Sequence, residues 1–240
     1  MQGSRAYEED EVARGEIVEL NKEIFEIVKK GKRDSALAEL YWRGRELSYK
    51  YFKQFYDSIG VKFDKYYPES TVAGRGLAEV KKGLAEGVYE RSDGAVVYKG
   101  EKHGLHTRVF INKAGLPTYE AKDVGLIFTK WKDYRFDKSV VITGNDIVDY
   151  MKVVLRSVGE MNAELVKRTI HLTHGQVKLV GGVKMSSRKG NFLKAVEVME
   201  MVGKELAREY GSKDRRVLLS AVKYAEVRSE ERRVGKECRS

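Results

Sequence analysis

The chain has one cysteine and two prolines in 240 residues. A single thiol, Cys238, excludes an internal disulfide framework and a zinc site built from several cysteines. No run of about 18 apolar residues occurs, so nothing in the sequence reads as a membrane span. The first ten residues, MQGSRAYEED, lack the apolar stretch of a secretion signal, which makes the cytoplasm the expected compartment. Internal repeats and low-complexity linkers are missing as well. What remains is globular in composition, 42% hydrophobic and 10% aromatic, and long enough to bury a core in one or two domains. Lysine and arginine number 46 against 36 acids, for a formal charge of +10. That excess favours an anionic partner, a nucleotide or nucleic acid, without setting the fold.

Residues 228–240, RSEERRVGKECRS, resemble the translated read-through of a sequencing adaptor. They follow Val227 without a turn or cap and match nothing before them in composition. Set aside as a fusion scar would be, they leave a net charge of +8. On this reading Cys238 is not a biological residue, and the natural protein is expected to continue past Val227.

Helical periodicity runs through residues 8–30, where Ile17, Leu20, Ile24, Ile27 and Val28 recur among Glu and Lys. Gly31–Asp34 breaks it, and a second helix carries Leu37, Leu40, Tyr41, Leu47, Tyr51, Phe55 and Ile59 as far as Gly60. Val61–Phe63 reads as a short strand and Leu77–Glu86 as a short helix. Ser92-Asp93-Gly94, flanked by Val88-Tyr89 and Ala95–Tyr98, signals a hairpin. From residue 107 strand and helix alternate: strands at Arg108–Ile111, Ser139–Thr143 and Thr169–Leu172, with a short fourth at Gln176–Val180. Helices fall between them, at Pro117–Trp131 and with Ile147, Tyr150, Met151, Val154 and Leu155 inward; two more follow at 194–209 and 213–227. This order predicts an α/β fold with a parallel sheet and functional loops at the strand ends.

The most informative stretch is Val183–Asn191, Val-Lys-Met-Ser-Ser-Arg-Lys-Gly-Asn, bounded by Gly181-Gly182 and Gly190. Small hydroxyl residues, three cations and glycines that allow close backbone approach suit a polyphosphate. The plain alternative is a solvated basic turn. A second stretch, Gly115–Asp123 (GLPTYEAKD), places Tyr119 and Asp123 one helical turn apart on one face. A carboxylate beside a phenol suits a guanidinium, whose planar fork of donors matches two acceptor oxygens. Alternatively Asp123 complements the helix dipole and Tyr119 only packs.

Together these stretches, with Ile59–Asp64 and Glu69-Ser70 before the hairpin, resemble arginyl-tRNA synthetase, a class I aminoacyl-tRNA synthetase. Val183–Asn191 is similar to the KMSKS signature in its KMSxR form, and Thr118–Asp123 to the family's TYxxxD segment. The resemblance implies the second half of a Rossmann-like catalytic domain with helical and hairpin additions. Residues 1–106 would be a flank or insertion, 107–212 the Rossmann half with the signature loop, and 213–227 the start of the anticodon-binding helical domain.

It also implies ATP-dependent attachment of arginine to its tRNA through an arginyl-adenylate. Lys184, Ser187 and Arg188 would be catalytic, and Lys184, Met185, Ser186, Ser187, Arg188, His174, Gly175 and Gln176 would bind ATP. Tyr119 and Asp123 would bind arginine. The fourth position of KMSKS is normally lysine and here is Ser187, which leaves open whether Arg188 or Lys189 reaches the phosphates. Family members often carry glutamine after the acidic residue of Thr143–Asp146; this chain has Ile147, so that contact is not carried over. Mg²⁺ is implied by ATP chemistry and by no visible carboxylate cluster. His171 and His174, three apart without a third ligand, do not make a metal site. A monomer with no membrane partner is expected.

The HIGH signature, which stands upstream of these motifs in the family, is absent from residues 1–227; His103-Gly-Leu-His106 has its glycine misplaced. The chain therefore reads as a fragment, expected to be inactive alone in ATP–pyrophosphate exchange. Two other readings stay open: a non-catalytic nucleic-acid-binding homologue, and a class I synthetase for another amino acid.

Overall fold

The computed structural model of the chain describes residues 2–175 and 194–224. It divides into two compact units, one formed by Glu11–Arg45 and Phe63–His174, the other by the described residues outside these spans.

Three helices open the chain: α1 (Gln2–Glu9), α2 (Glu11–Lys30) and α3 (Ala36–Ile59). The periodicity expected over 8–30 is thus carried mainly by α2, with α1 a separate helix before it. Gly31, at φ +64°, ends α2 by stepping into the left-handed region that glycine tolerates. Val61–Phe63, expected as a strand, is irregular. It pairs with no strand among the described residues, and β propensity without a pairing partner does not fix an extended ladder.

α4 (Glu69–Ala85) begins directly after Pro68, longer than the helix expected at 77–86. Pro68, at φ −60°, sits where its missing N–H costs nothing. β1 (Glu90–Ser92) and β2 (Ala95–Tyr98) form the hairpin, turning through Asp93 (φ +46°) and Gly94 (φ +77°). Positive φ at both central residues is the two-residue turn whose twist matches that of paired strands. β3 (Arg108–Ile111) pairs antiparallel with β2, which makes a three-stranded sheet in the order β1-β2-β3. Arg108–Ile111 therefore does not join the parallel sheet, as the alternation of elements had suggested. It follows β2 closely enough to add to the hairpin as a meander.

The parallel sheet is β4 (Ser139–Gly144) beside β5 (Thr169–His174), in register from Ser139 opposite Thr169 to Gly144 opposite His174. Between them run α6 (Val148–Met161) and α7 (Ala163–Lys167), a β-α-β crossover. α5 (Tyr119–Tyr134) links β3 to β4. The α/β class expected from the sequence is the class observed.

The core of this unit is an aromatic cluster between the antiparallel sheet and the helices. Tyr98 meets Tyr89 and Phe110 edge to face and those two rings tilt against each other, with ring centroids 4.8 to 6.5 Å apart. Val80 of α4, Val124 and Ile127 of α5, and Met151, Val154 and Val158 of α6 close around them. Both buried phenols find acceptors: Tyr89 donates to Ser157 Oγ at 3.1 Å and Tyr98 to Glu160 Oε1 at 2.7 Å. Burial and the Glu160 carboxylate push the Tyr98 hydroxyl up to about 12.

α4 and α5 touch backbone to backbone. A Cβ added at Gly76 would stand 2.6 Å from the Ala121 carbonyl carbon, and one at Gly125 would stand 2.5 Å from Gly76 N. The second unit contains α8 (Ala195–Tyr210), closed by Gly211 at φ +64°, and a further helix over residues 215–224. There Arg215 Nη2 donates to the Ser58 carbonyl. The strand expected at Gln176–Val180, the loop Val183–Asn191 and the tail 228–240 lie outside the described residues.

Candidate functional site

The loop from β3 to α5 is built to hold the start of that helix. Asn112 Oδ1 accepts from the backbone N–H groups of Ala114 and Leu116, both at 3.0 Å, in an Asx-type turn. Gly115 takes φ +76° at its tip. Thr118 then donates its hydroxyl to the Val109 carbonyl at 2.7 Å, while its N–H reaches the Phe110 carbonyl at 3.0 Å. The first turn of α5 is thereby anchored to β3 rather than capped by its own side chain.

On that turn Tyr119 is 67% exposed, and its ring lies 5.0 Å from the Lys122 ammonium. Asp123, one turn later, is partly buried. Its Oδ2 accepts a 2.5 Å hydrogen bond from the Tyr150 hydroxyl of α6, and its Oδ1 accepts none among the described residues. Burial pushes the Asp123 carboxyl above the usual carboxylate range, the Tyr150 hydroxyl pulls it back, and Glu120 and Glu69 push it further up. The Tyr150 hydroxyl is itself raised, first by burial and then by Asp123.

Three carboxylates thus face one region, and their partners differ. Glu69, at the start of α4, pairs with Lys122. Glu120 pairs with Arg108 of β3 at 3.4 Å. Asp123 has only a neutral phenol; no cation lies within ion-pair distance of it among the described residues. The Arg108 guanidinium lies 5.2 Å over the Tyr150 ring, and its Nε is buried without a hydrogen-bond partner among the described residues.

The other expected site residues fall elsewhere. His174 ends β5, exposed, with Gly175 next to it. His171 and His174 project to opposite faces of β5 because side chains alternate along a strand; His171 Nε2 instead shares a 2.8 Å hydrogen bond with Thr143 Oγ1. Gln176, Lys184, Met185, Ser186, Ser187 and Arg188 lie outside the described residues. No group of three or more metal-ligating side chains exists among the described residues. Likewise, no helix among them is long and apolar enough to cross a membrane.

Sequence reasoning missed Tyr150 as a partner of Asp123, reading it only as an inward position of its helix. A phenol on an otherwise apolar inward face requires a hydrogen-bond acceptor when buried, and that signal was available. Arg108, Glu120 and Lys122 carried no comparable signal, since each reads as an ordinary surface charge until the turn after β3 brings them together.

The chain matches the family model described as tRNA synthetases class I (R), catalytic domain, over residues 2–230. It is similar to an arginine–tRNA ligase from Parabacteroides distasonis, 32% identical over 167 residues that make up 68% of this chain and 28% of that one. Another from Porphyromonas gingivalis is 31% identical over 182 residues, 74% of this chain and 30% of the other. The chain thus spans about a third or less of the length of these curated relatives. Among solved structures, Thermus thermophilus arginyl-tRNA synthetase shares the fold at a TM-score of 0.59 and 17% identity, covering 91% of this chain and 45% of that one. From the extent of the family match, this chain belongs to the class I (R) tRNA synthetases, as part of their catalytic domain.

Proposed function

We propose that the chain contributes the amino-acid site and the phosphate-binding loop of an arginine–tRNA ligase. The observation that carries this reading is the unmatched charge at Asp123. Its neighbours Glu69 and Glu120 each hold a cation, while Asp123 is partly buried against a phenol that cannot neutralise it. Leaving a desolvated carboxylate without a counter-charge is costly, and a guanidinium would supply the missing cation with matching geometry. Tyr119, exposed on the same helix, would add a hydroxyl or a ring face to the same ligand.

In the first step the arginine carboxylate attacks the α-phosphorus of ATP, and pyrophosphate leaves. Lys184, Ser186, Ser187 and Arg188 of the signature loop would hold the triphosphate and stabilise the charge developing on pyrophosphate, with Met185 in the same loop. His174, Gly175 and Gln176 would lie against the nucleotide. In the second step a ribose hydroxyl of the tRNA attacks the adenylate carbonyl, and AMP leaves. Magnesium would arrive with the nucleotide; the described residues supply no cluster for it. The enzyme would act in the cytoplasm as a monomer.

Charging assays on the longest polypeptide that the gene encodes, supplied with arginine or with citrulline, test this directly. Citrulline keeps the shape of arginine but replaces the guanidinium by a neutral ureido group. Arginine should be preferred by about 10²-fold or more, because the site would otherwise hold an unpaired charge. Equal use of the two would overturn the reading. Retention of RNA on filters regardless of arginine and ATP, with a steep salt dependence, would favour the nucleic-acid-binding alternative.

A further inference from the structure

We infer that Tyr150 is a positioning residue for amino-acid selection: its hydroxyl fixes the plane of the Asp123 carboxylate so that Oδ1 is presented to the substrate guanidinium. The inference rests on the function proposed above and adds a residue to it from a different helix.

The terminal torsion of an aspartate is soft, so a carboxylate held only by its own helix would rotate broadly. Here Tyr150 binds one oxygen, Oδ2, at 2.5 Å and leaves the other without a bond among the described residues. With one oxygen tethered, the plane of the group is defined. A planar fork of donors depends on that plane, because both of its hydrogen bonds weaken as the carboxylate turns.

Tyr150 is held in turn. The Arg108 guanidinium covers its ring at 5.2 Å and is itself tied to Glu120 at 3.4 Å. Glu120 and Asp123 are three apart on α5, so β3, α5 and α6 are linked in one closed circuit, from Glu120 through Arg108 and Tyr150 to Asp123. The Nε of the same guanidinium is buried, with no hydrogen-bond partner among the described residues.

The phenol also favours the ionised carboxylate. Burial, Glu120 on the same helix and Glu69 on α4 all raise the proton affinity of Asp123, and the Tyr150 hydroxyl lowers it. The cations of the region, Arg108 from β3 and Lys122 from α5, are taken by Glu120 and Glu69. Among the described residues, Tyr150 is therefore the group that opposes protonation of Asp123. Its loss should shift the carboxyl further up, and arginine binding should then fail at a higher pH as acidity increases.

The test compares wild type, Tyr150→Phe and Asp123→Asn in arginine charging by the longest polypeptide that the gene encodes. Tyr150→Phe should raise the KM for arginine about tenfold or more, the size expected for a lost hydrogen bond to a charged group. The KM for ATP should stay unchanged, and the acid limb of kcat/KM for arginine should move to higher pH. A merely structural role would disturb both substrates and leave that limb in place. Placing 3-fluorotyrosine at position 150 keeps the shape and strengthens the donor, so the same limb should move to lower pH. This second measurement holds even if Tyr150→Phe folds poorly. If Asp123→Asn loses arginine selection while both changes at position 150 behave as wild type, the role of Tyr150 is overturned and the arginine site stands. If Asp123→Asn keeps its selection, the site reading fails, and the role of Tyr150 fails with it.

Discussion

Asp123→Asn should lower kcat/KM for arginine by about 10²–10³-fold while leaving the melting temperature at neutral pH equal to that of the wild type or above it. The first effect follows from the size of a desolvated charge pair: removing one partner costs about 3–4 kcal/mol, and each 1.4 kcal/mol is tenfold. Asparagine keeps the shape and can still accept from Tyr150, so what is lost is charge. The second effect follows from the direction of the shift at Asp123. A carboxyl raised above its unfolded value holds its proton more tightly in the folded chain. The stability this confers is complete below the ordinary aspartate range, about 3.9, and is lost as pH rises through the raised folded value. At neutral pH the ionised group therefore weighs against folding, and asparagine removes that burden. Thermal unfolding at pH 7 beside steady-state charging checks both halves. A variant that is both inactive and clearly less stable would mean that Asp123 serves the fold and not a ligand.

The largest loss of stability is expected at the α4–α5 contact. Gly76→Ala places a methyl inside contact distance of the Ala121 carbonyl, and Gly125→Ala places one against the Val72 carbonyl and Gly76 N. The neighbouring atoms are backbone, which cannot swing aside as a side-chain tip can. Each change must push the two helices apart and with them Val80, Val124 and Ile127, which pack in the core. Overpacking a core costs about 1–3 kcal/mol and occasionally more; with backbone on both sides these two belong at or above the top of that range. Denaturant unfolding measures it, and Gly74→Ala is the internal control, because a Cβ at Gly74 meets nothing within 4 Å. Alanine raises helix propensity, so the control should be neutral or slightly stabilised. Equal stability of the Gly76 and Gly74 variants would show that the helices do not pack as described.

The elements that local pattern alone determines were legible from the sequence. α2, α3, α5 and α6 carry apolar residues at helical spacing, and Asp93-Gly94 announces its own turn. Tyr119 and Asp123 could be singled out because a short run joins a helix start to a carboxylate. Pairing between strands was less visible. Arg108–Ile111 has the same apolar alternation whether it extends a hairpin or enters a parallel sheet, and only its proximity to β2 decides. Val61–Phe63 shows the converse, since β-prone residues without a neighbour stay irregular. The surroundings of Asp123 were hidden for a related reason. Arg108, Tyr150 and Glu69 come from three elements, and single-sequence spacing cannot report contacts across 15 to 54 positions. The close approach at Gly76 and Gly125 was equally silent, because a helical glycine announces permissiveness and not what lies opposite.

The glycine contact constrains how this site can be adjusted over time. Two helices that meet main chain to main chain have no rotamers with which to accommodate a gradual slide, so their relative register is fixed or must jump by a whole turn. Glu69 and Asp123 ride on those two helices, and the spacing between their backbones is in effect locked. Tyr150 and Arg108 approach from α6 and β3 through long side chains alone. Selection can retune the affinity of Asp123 at these two positions, one substitution at a time, without rebuilding the scaffold beneath it.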